Sequence, residues 1–217
     1  MLICKYKRVG NASFVPHLDT LRAVVMGIRR IGVKAEYSEG FNPHMKIFFG
    51  QPLPIGTESE CEYFCAYVNE EPNEFAEKLN KSLPSGLQIT AAARAEKDPN
   101  VAKIMCFADY TVTMRGKVDN LRAVESFAEL DECVISYEQK GELVKKDVKP
   151  LISFLRVCDE RTVKLRLSCG NKNLRADRLT NSLCKIYGIT CGYDIIKTNM
   201  YDCNFVDLDT ILFGSCN

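Results

Sequence analysis

The stretch Tyr37-Ser38-Glu39-Gly40-Phe41-Asn42-Pro43-His44-Met45-Lys46 holds the densest set of side chains able to do chemistry. Gly40 opens backbone conformations closed to other residues, and Pro43 keeps Asn42 extended, so the segment is expected to be a turn-rich loop with a set path. Loops of this kind hold polar groups at a surface. His44 is one of two histidines; the other, His17, stands two residues before Asp19. Gathered round one pocket, His17, Asp19, Glu39 and His44 could bind a metal or move protons. The competing reading is local. Asp19 in the first turn of a helix offsets the helix dipole, and His17 lies near the cap. Nothing in the spacing places the two histidines within reach of each other, and no metal or other cofactor is assigned.

Other charged groups are clustered without a motif. Glu58, Glu60 and Glu62 alternate, so on a strand they share a face, which reads as a solvated one. Arg22 and Arg29 are seven apart on a candidate helix and, with Lys46, could form a strip for phosphates. A second basic cluster is Arg161, Lys164, Arg166, Lys172, Arg175 and Arg178. There are 11 cysteines, an odd number, with no C-x-x-C pair. Cys61 and Cys65 would share a strand face with Tyr63 and read as small buried hydrophobes, and the cysteines as free thiols. Walker, G-x-G-x-x-G, H-E-x-x-H and G-x-S-x-G signatures are absent, as is the aromatic core motif of RRM domains.

The elements that must position these residues follow a repeated order. In the first half, Leu2–Lys7 alternates like a strand, and His17–Ile31 has apolar residues at helical spacing between Pro16 and Gly32. Lys46–Phe49 and Glu60–Val68 read as strands, Pro72–Leu83 as a helix stopped by Pro84-Ser85-Gly86, and Leu87–Ala93 as a strand. The second half gives Ile104–Met114 (strand), Val118–Leu130 (helix), Cys133–Gln139 and Val163–Ser168 (strands), Leu174–Tyr187 (helix) and Ile195–Tyr201 (strand). The expected fold is α+β: two ferredoxin-like (β-α-β-β-α-β) lobes with antiparallel sheets. Their expected bounds are 1–96 and 101–217, joined near Lys97–Asn100, with an insertion at 142–157 in the second.

Composition agrees with a globular chain: 217 residues, 46% hydrophobic, 26% charged, net charge +1. Bulk charge gives no reason to expect nucleic acid, so any basic surface must be local. No apolar run reaches the ~18 residues of a membrane span, and the start lacks the apolar core of a signal peptide. The chain is expected to be cytoplasmic, with no membrane partner.

Pro16-His17-Leu18-Asp19, Arg22, Arg29-Arg30, Tyr37 through His44, Pro52-Leu53-Pro54-Ile55-Gly56 and Glu60-Cys61-Glu62-Tyr63 resemble the radical SAM-linked proteins, a bacterial family whose domain has no assigned function. Leu79-Asn80, Leu83-Pro84 and Gly86-Leu87 continue the resemblance, and Lys197-Thr198-Asn199-Met200-Tyr201 is similar to the family's closing strand. Pro16 stands where serine is usual before His-Leu-Asp, and Lys197 where arginine is usual. The resemblance implies a radical SAM protein as partner. The chain lacks the C-x-x-x-C-x-x-C cluster motif of those enzymes, so the separately encoded form is expected. The family supplies no catalytic residues.

Two functions follow. In the first, the chain is a non-catalytic accessory that works with a radical SAM enzyme and presents a substrate, RNA being the candidate. Its binding surface is then the loop with the helix start: His17, Asp19, Arg22, Ser38, Glu39, Phe41, Asn42, His44 and Lys46. In the alternative, the chain is an enzyme acting on RNA or a small molecule through His17, Asp19, Glu39 and His44.

Overall fold

The structure, a computed structural model, describes residues 1–139 and 141–214. The fold is mixed α+β with mostly antiparallel sheets, and the chain divides into two units. One holds residues 1–105 and returns with 201–214; the other is 106–200. The expected second lobe, 101–217, is thus divided differently, because both of its ends pack with the first unit.

In the first unit the order is β1 (Leu2–Arg8), α1 (His17–Arg30), β2 (Ile47–Phe49), β3 (Thr57–Ala66), α2 (Pro72–Asn80), β4 (Leu87–Arg94) and the short α3 (Val101–Ile104). The strands lie in the order β4-β1-β3-β2, each antiparallel to its neighbour. Alternation decides what each face buries. Leu2, Cys4 and Tyr6 of β1 join Phe64 and Ala66 of β3 under Val24 and Ile28 of α1 and Phe75 and Leu79 of α2. Each leucine, valine, isoleucine or phenylalanine among them, fully buried, contributes roughly 1.5–3 kcal/mol. Gly27 lets the two helices close: a Cβ there would stand 2.8 Å from Leu79 Cδ1. As expected, α1 begins after Pro16 and stops before Gly32, whose φ of +71° suits the residue that ends a helix.

The second unit runs β5 (Phe107–Met114), a 3-10 segment (Leu121–Glu129), β6 (Val134–Gln139), β7 (Glu142–Asp147), β8 (Ile152–Val157), β9 (Thr162–Ser168), α4 (Ala176–Ile186) and β10 (Tyr193–Tyr201). Its sheet has the order β10-β5-β9-β8, while β6 and β7 form a separate antiparallel hairpin. Two expectations change here. The helix expected at Val118–Leu130 is a 3-10 segment, because its buried residues, Leu121, Val124 and Phe127, recur every three positions. That period eclipses side chains on a 3-10 helix and drifts off the face of an α-helix. The strand expected at Cys133–Gln139 does not enter the sheet. β8, from the expected insertion, pairs with β9 instead, across the short link 158–161. Short connections between neighbouring strands are the rule, and β6 pairs with β7, the next strand along the chain.

After β10 the chain forms α5 (Leu208–Phe213), capped by the Asp207 side chain, which accepts from Asp209 N at 2.7 Å. In the first unit α5 lies over the sheet face opposite α1. The Tyr63 hydroxyl donates to Asp209 at 2.9 Å, Lys5 pairs with Asp209, and Phe213 stacks on Tyr63 at 6.4 Å. Cys61 and Cys65 flank Tyr63 on this face, buried as expected. No disulfide joins the ten described cysteines; Cys216 lies outside the described residues. Among the described residues no helix is long and apolar enough to cross a membrane.

Candidate functional site

At the end of β1 the register with β3 shifts between Tyr6 and Arg8, and the Arg8 side chain turns inward, 1% exposed. Its guanidinium donates to Val15 O at 3.3 Å, Pro54 O at 2.7 Å and Thr57 O at 3.2 Å. One cation thereby ties the β1–α1 loop to the Pro52–Gly56 loop, through charge-assisted bonds stronger than neutral ones. Gly56 N donates to Ser13 O at 2.9 Å, which adds a backbone clasp between the same loops. Glu62, 2% exposed, accepts from Ser59 Oγ at 2.7 Å. Burial pulls the Arg8 pKa down, and the Glu62 charge opposes the pull. The expected solvated face of Glu58, Glu60 and Glu62 is corrected at Glu62. The same strand face continues into Phe64 and Ala66, so its end is carried under the loops. Glu60 is exposed, and Glu58 accepts from Gly10 N at 2.7 Å.

His17 opens α1 at the rim of this centre, its ring edge-on to Phe49 at 6.2 Å. Burial lowers its pKa from the usual histidine value; Glu62 raises it and Arg8 lowers it further. Around the rim Phe14, Leu18 and Ile55 are 63%, 65% and 60% exposed.

The loop from Ser38 to His44 is closed at its base by the backbone. Ala35 bridges Val68, Tyr37 bridges Met45, and Lys46 N donates to Glu36 O at 2.9 Å. Ser38 N donates to His44 O at 2.8 Å, and His44 N returns a bond to Ser38 Oγ at 3.0 Å. Met45 anchors the base, 8% exposed. Gly40, at φ +112°, turns the tip, where Glu39, Phe41 and Asn42 are exposed, Phe41 completely. Lys46 pairs with Glu36 at 3.1 Å and lies over the Tyr67 ring.

The sequence-derived site is therefore partitioned. Ser38, Glu39, Phe41, Asn42, His44 and Lys46 share one loop; His17 sits on Phe49, opposite Phe64, while Tyr67 marks the level of Lys46. From Phe49 back to His44 is five residues of chain, roughly 17 Å if extended. No contact joins the two histidines, and among the described residues no group of His, Cys, Asp and Glu could hold a metal. Asp19 pairs with Arg22 at 2.8 Å in the first turns of α1, both exposed. The phosphate strip of Arg22, Arg29 and Lys46 is thus partly neutralised. In the second unit Arg166 makes a two-point pair with Asp109 at 2.6 and 2.8 Å, and Arg175 pairs with Asp177 at 2.6 Å. Sequence reasoning missed Arg8. Its one signal is parity, since it continues the even positions Leu2, Cys4 and Tyr6 that form the core.

The family model described as an uncharacterized protein conserved in bacteria (DUF2344) matches residues 2–176. No curated protein matches the chain. Two solved structures are similar in outline. A Cbf5-Nop10-Gar1 complex matches at 9% identity and TM-score 0.47, covering 92% of this chain and 48% of that one. An archaeal box H/ACA sRNP Nop10-Cbf5 complex matches at 11% identity and TM-score 0.47, covering 92% and 47%. The chain spans about half the length of those chains, and likeness at this level carries no argument. The family match runs instead through β1, the buried Arg8, both loops it ties and the Ser38–His44 loop, and on that match the chain belongs to the bacterial DUF2344 family.

Proposed function

We propose that this chain is a non-catalytic binding module that works beside a radical SAM enzyme and presents RNA to it. The observation that carries the reading is the Ser38–His44 loop. It is closed by its own backbone bonds, yet it holds a large aromatic side chain, Phe41, wholly in water. An ordered loop with an uncovered aromatic is what a partner's pocket needs: the ordering cost is met before binding, and aromatic anchors dominate interface energies. Phe48 and Tyr37, exposed in and beside the same segment, extend the apolar surface. The strand orders β4-β1-β3-β2 and β10-β5-β9-β8 support reading both units as split βαβ folds. In the second, the 3-10 segment stands for the first helix and the β6–β7 hairpin is inserted.

The test is titration calorimetry against a purified radical SAM protein of the same bacterium. Phe41→Ala should weaken capture by about 30-fold, a loss of about 2 kcal/mol, while leaving the melting temperature unchanged. Full capture by a folded Phe41→Ala variant would remove the loop from the interface. Absence of any binding by the native chain would remove the partner.

A further inference from the structure

In the second unit a cleft of about 420 Å³ opens between the β6–β7 hairpin and α4. The hairpin is tied to the helix, Ser182 Oγ donating to Ser136 O at 3.3 Å, so the two walls hold a set spacing. Across the cleft the Arg178 guanidinium lies over the Tyr137 ring, 4.1 Å from its centroid. Arg178, Asn181 and Lys185 line the cleft from α4, and Arg175 from the residue that precedes it. They are three, three and four residues apart, so they form one row along the helix. Their charges are not equal. Arg175 is engaged by Asp177 at 2.6 Å, whereas Arg178 and Lys185 have no carboxylate within ion-pair distance among the described residues. Glu138 on the opposite wall is the cleft's other acid.

We propose that this cleft binds single-stranded nucleic acid, with a base stacked on the Arg178–Tyr137 pair and a neighbouring phosphate at Lys185. The identification of the strand as RNA rests on the function proposed above; the stacking chemistry does not. A guanidinium already held flat on an aromatic ring offers a planar, cationic platform, and unpaired bases stack on such planes. The row then supplies what a single strand needs: a platform, an amide at Asn181 able to donate and accept at a base edge, and a free cation for the backbone. From Arg178 to Lys185 the helix rises roughly 10 Å, room for a base and its adjoining phosphates. A compact anion alone would need the charges and not the ring.

The experiment is fluorescence anisotropy of the full chain with a labelled single-stranded RNA of about 12 nucleotides, the matching DNA, and duplex RNA. The native chain should bind the single strand and bind the duplex more weakly, because duplex bases are already stacked. Arg178→Lys, which keeps charge and loses the plane, should weaken binding about 10-fold. Lys185→Ala should weaken it less and flatten the dependence of log affinity on log salt by about one unit. Arg161→Ala, outside the cleft, should bind as the native chain does. Melting curves identify any variant that fails to fold, and Lys185, exposed on α4, remains a test if Arg178 proves structural. Equal loss with DNA supports the platform and shows that the sugar is not read. Native-like RNA binding by both Arg178→Lys and Lys185→Ala overturns the cleft while leaving an RNA-presenting protein standing. No RNA binding by the native chain overturns both.

Discussion

Without the Arg8 side chain, the carbonyls of Val15, Pro54 and Thr57 would lose the donor they share. Arg8→Met should therefore destabilise the chain by about 3 kcal/mol or more in urea denaturation, since each buried acceptor left without its donor costs about 1–3 kcal/mol. Arg8→Lys should recover little of this, because an ammonium cannot reach three carbonyls in the fork geometry of guanidinium. His17 gives a pH signature at the same place. Its folded pKa lies below its ordinary value, chiefly through burial, so the unfolded chain binds the extra proton more readily. Stability should be full at pH values well above the ordinary histidine pKa and should decline as pH falls through about 6.5. In His17→Asn, denaturant midpoints measured across that window should lose part of this slope. An unchanged slope would place the titration elsewhere. Side chains of this kind were half legible. The sequence marks His17, but the burial of Arg8 and Glu62 depends on loops closing over a strand end, which no spacing displays.

Elements were legible where burial repeats locally. α1, α2, β1 and β4 each carry an apolar period matching their geometry, and the expected and observed spans differ by a few residues. β6 was legible as a strand, but its pairing and that of β8 were not, because both are short, half-exposed strands. Which of them joins β9 is decided by pairing, and the sequence of either strand alone is silent on it. The connections obey local rules that can be tested. Gly86, at φ +86°, sits where an added Cβ would be 2.3 Å from Val9 O, and its own carbonyl accepts from Val9 N at 2.9 Å. Gly32, at φ +71°, faces open space. Gly32→Ala should cost about 1 kcal/mol for its dihedral alone. Gly86→Ala should cost at least about 3 kcal/mol, because backbone must move as well. Equal midpoints for the two variants in thermal unfolding would refute the close approach.

At the scale of the whole molecule, the first unit is discontinuous in sequence: its sheet carries α5, which arrives after the entire second unit. Expected lobes of 1–96 and 101–217 miss this because the docking of α5 uses three scattered residues, Lys5, Tyr63 and Asp209, and one ring, Phe213. A chain ending at Met200 should expose the Tyr63 face, bind a hydrophobic dye and unfold its first unit at lower temperature, while Phe213→Ala should show a milder form of the same loss. An unchanged melting profile after truncation would make α5 an ornament. The arrangement also sets a timetable. During translation residues 106–200 are complete before the segment that finishes the first unit leaves the ribosome. Residues 1–105, although made before the second unit, must wait for residues 201–214 before α5 can cover the Tyr63 face of their sheet, so their maturation follows that of the unit inserted within them.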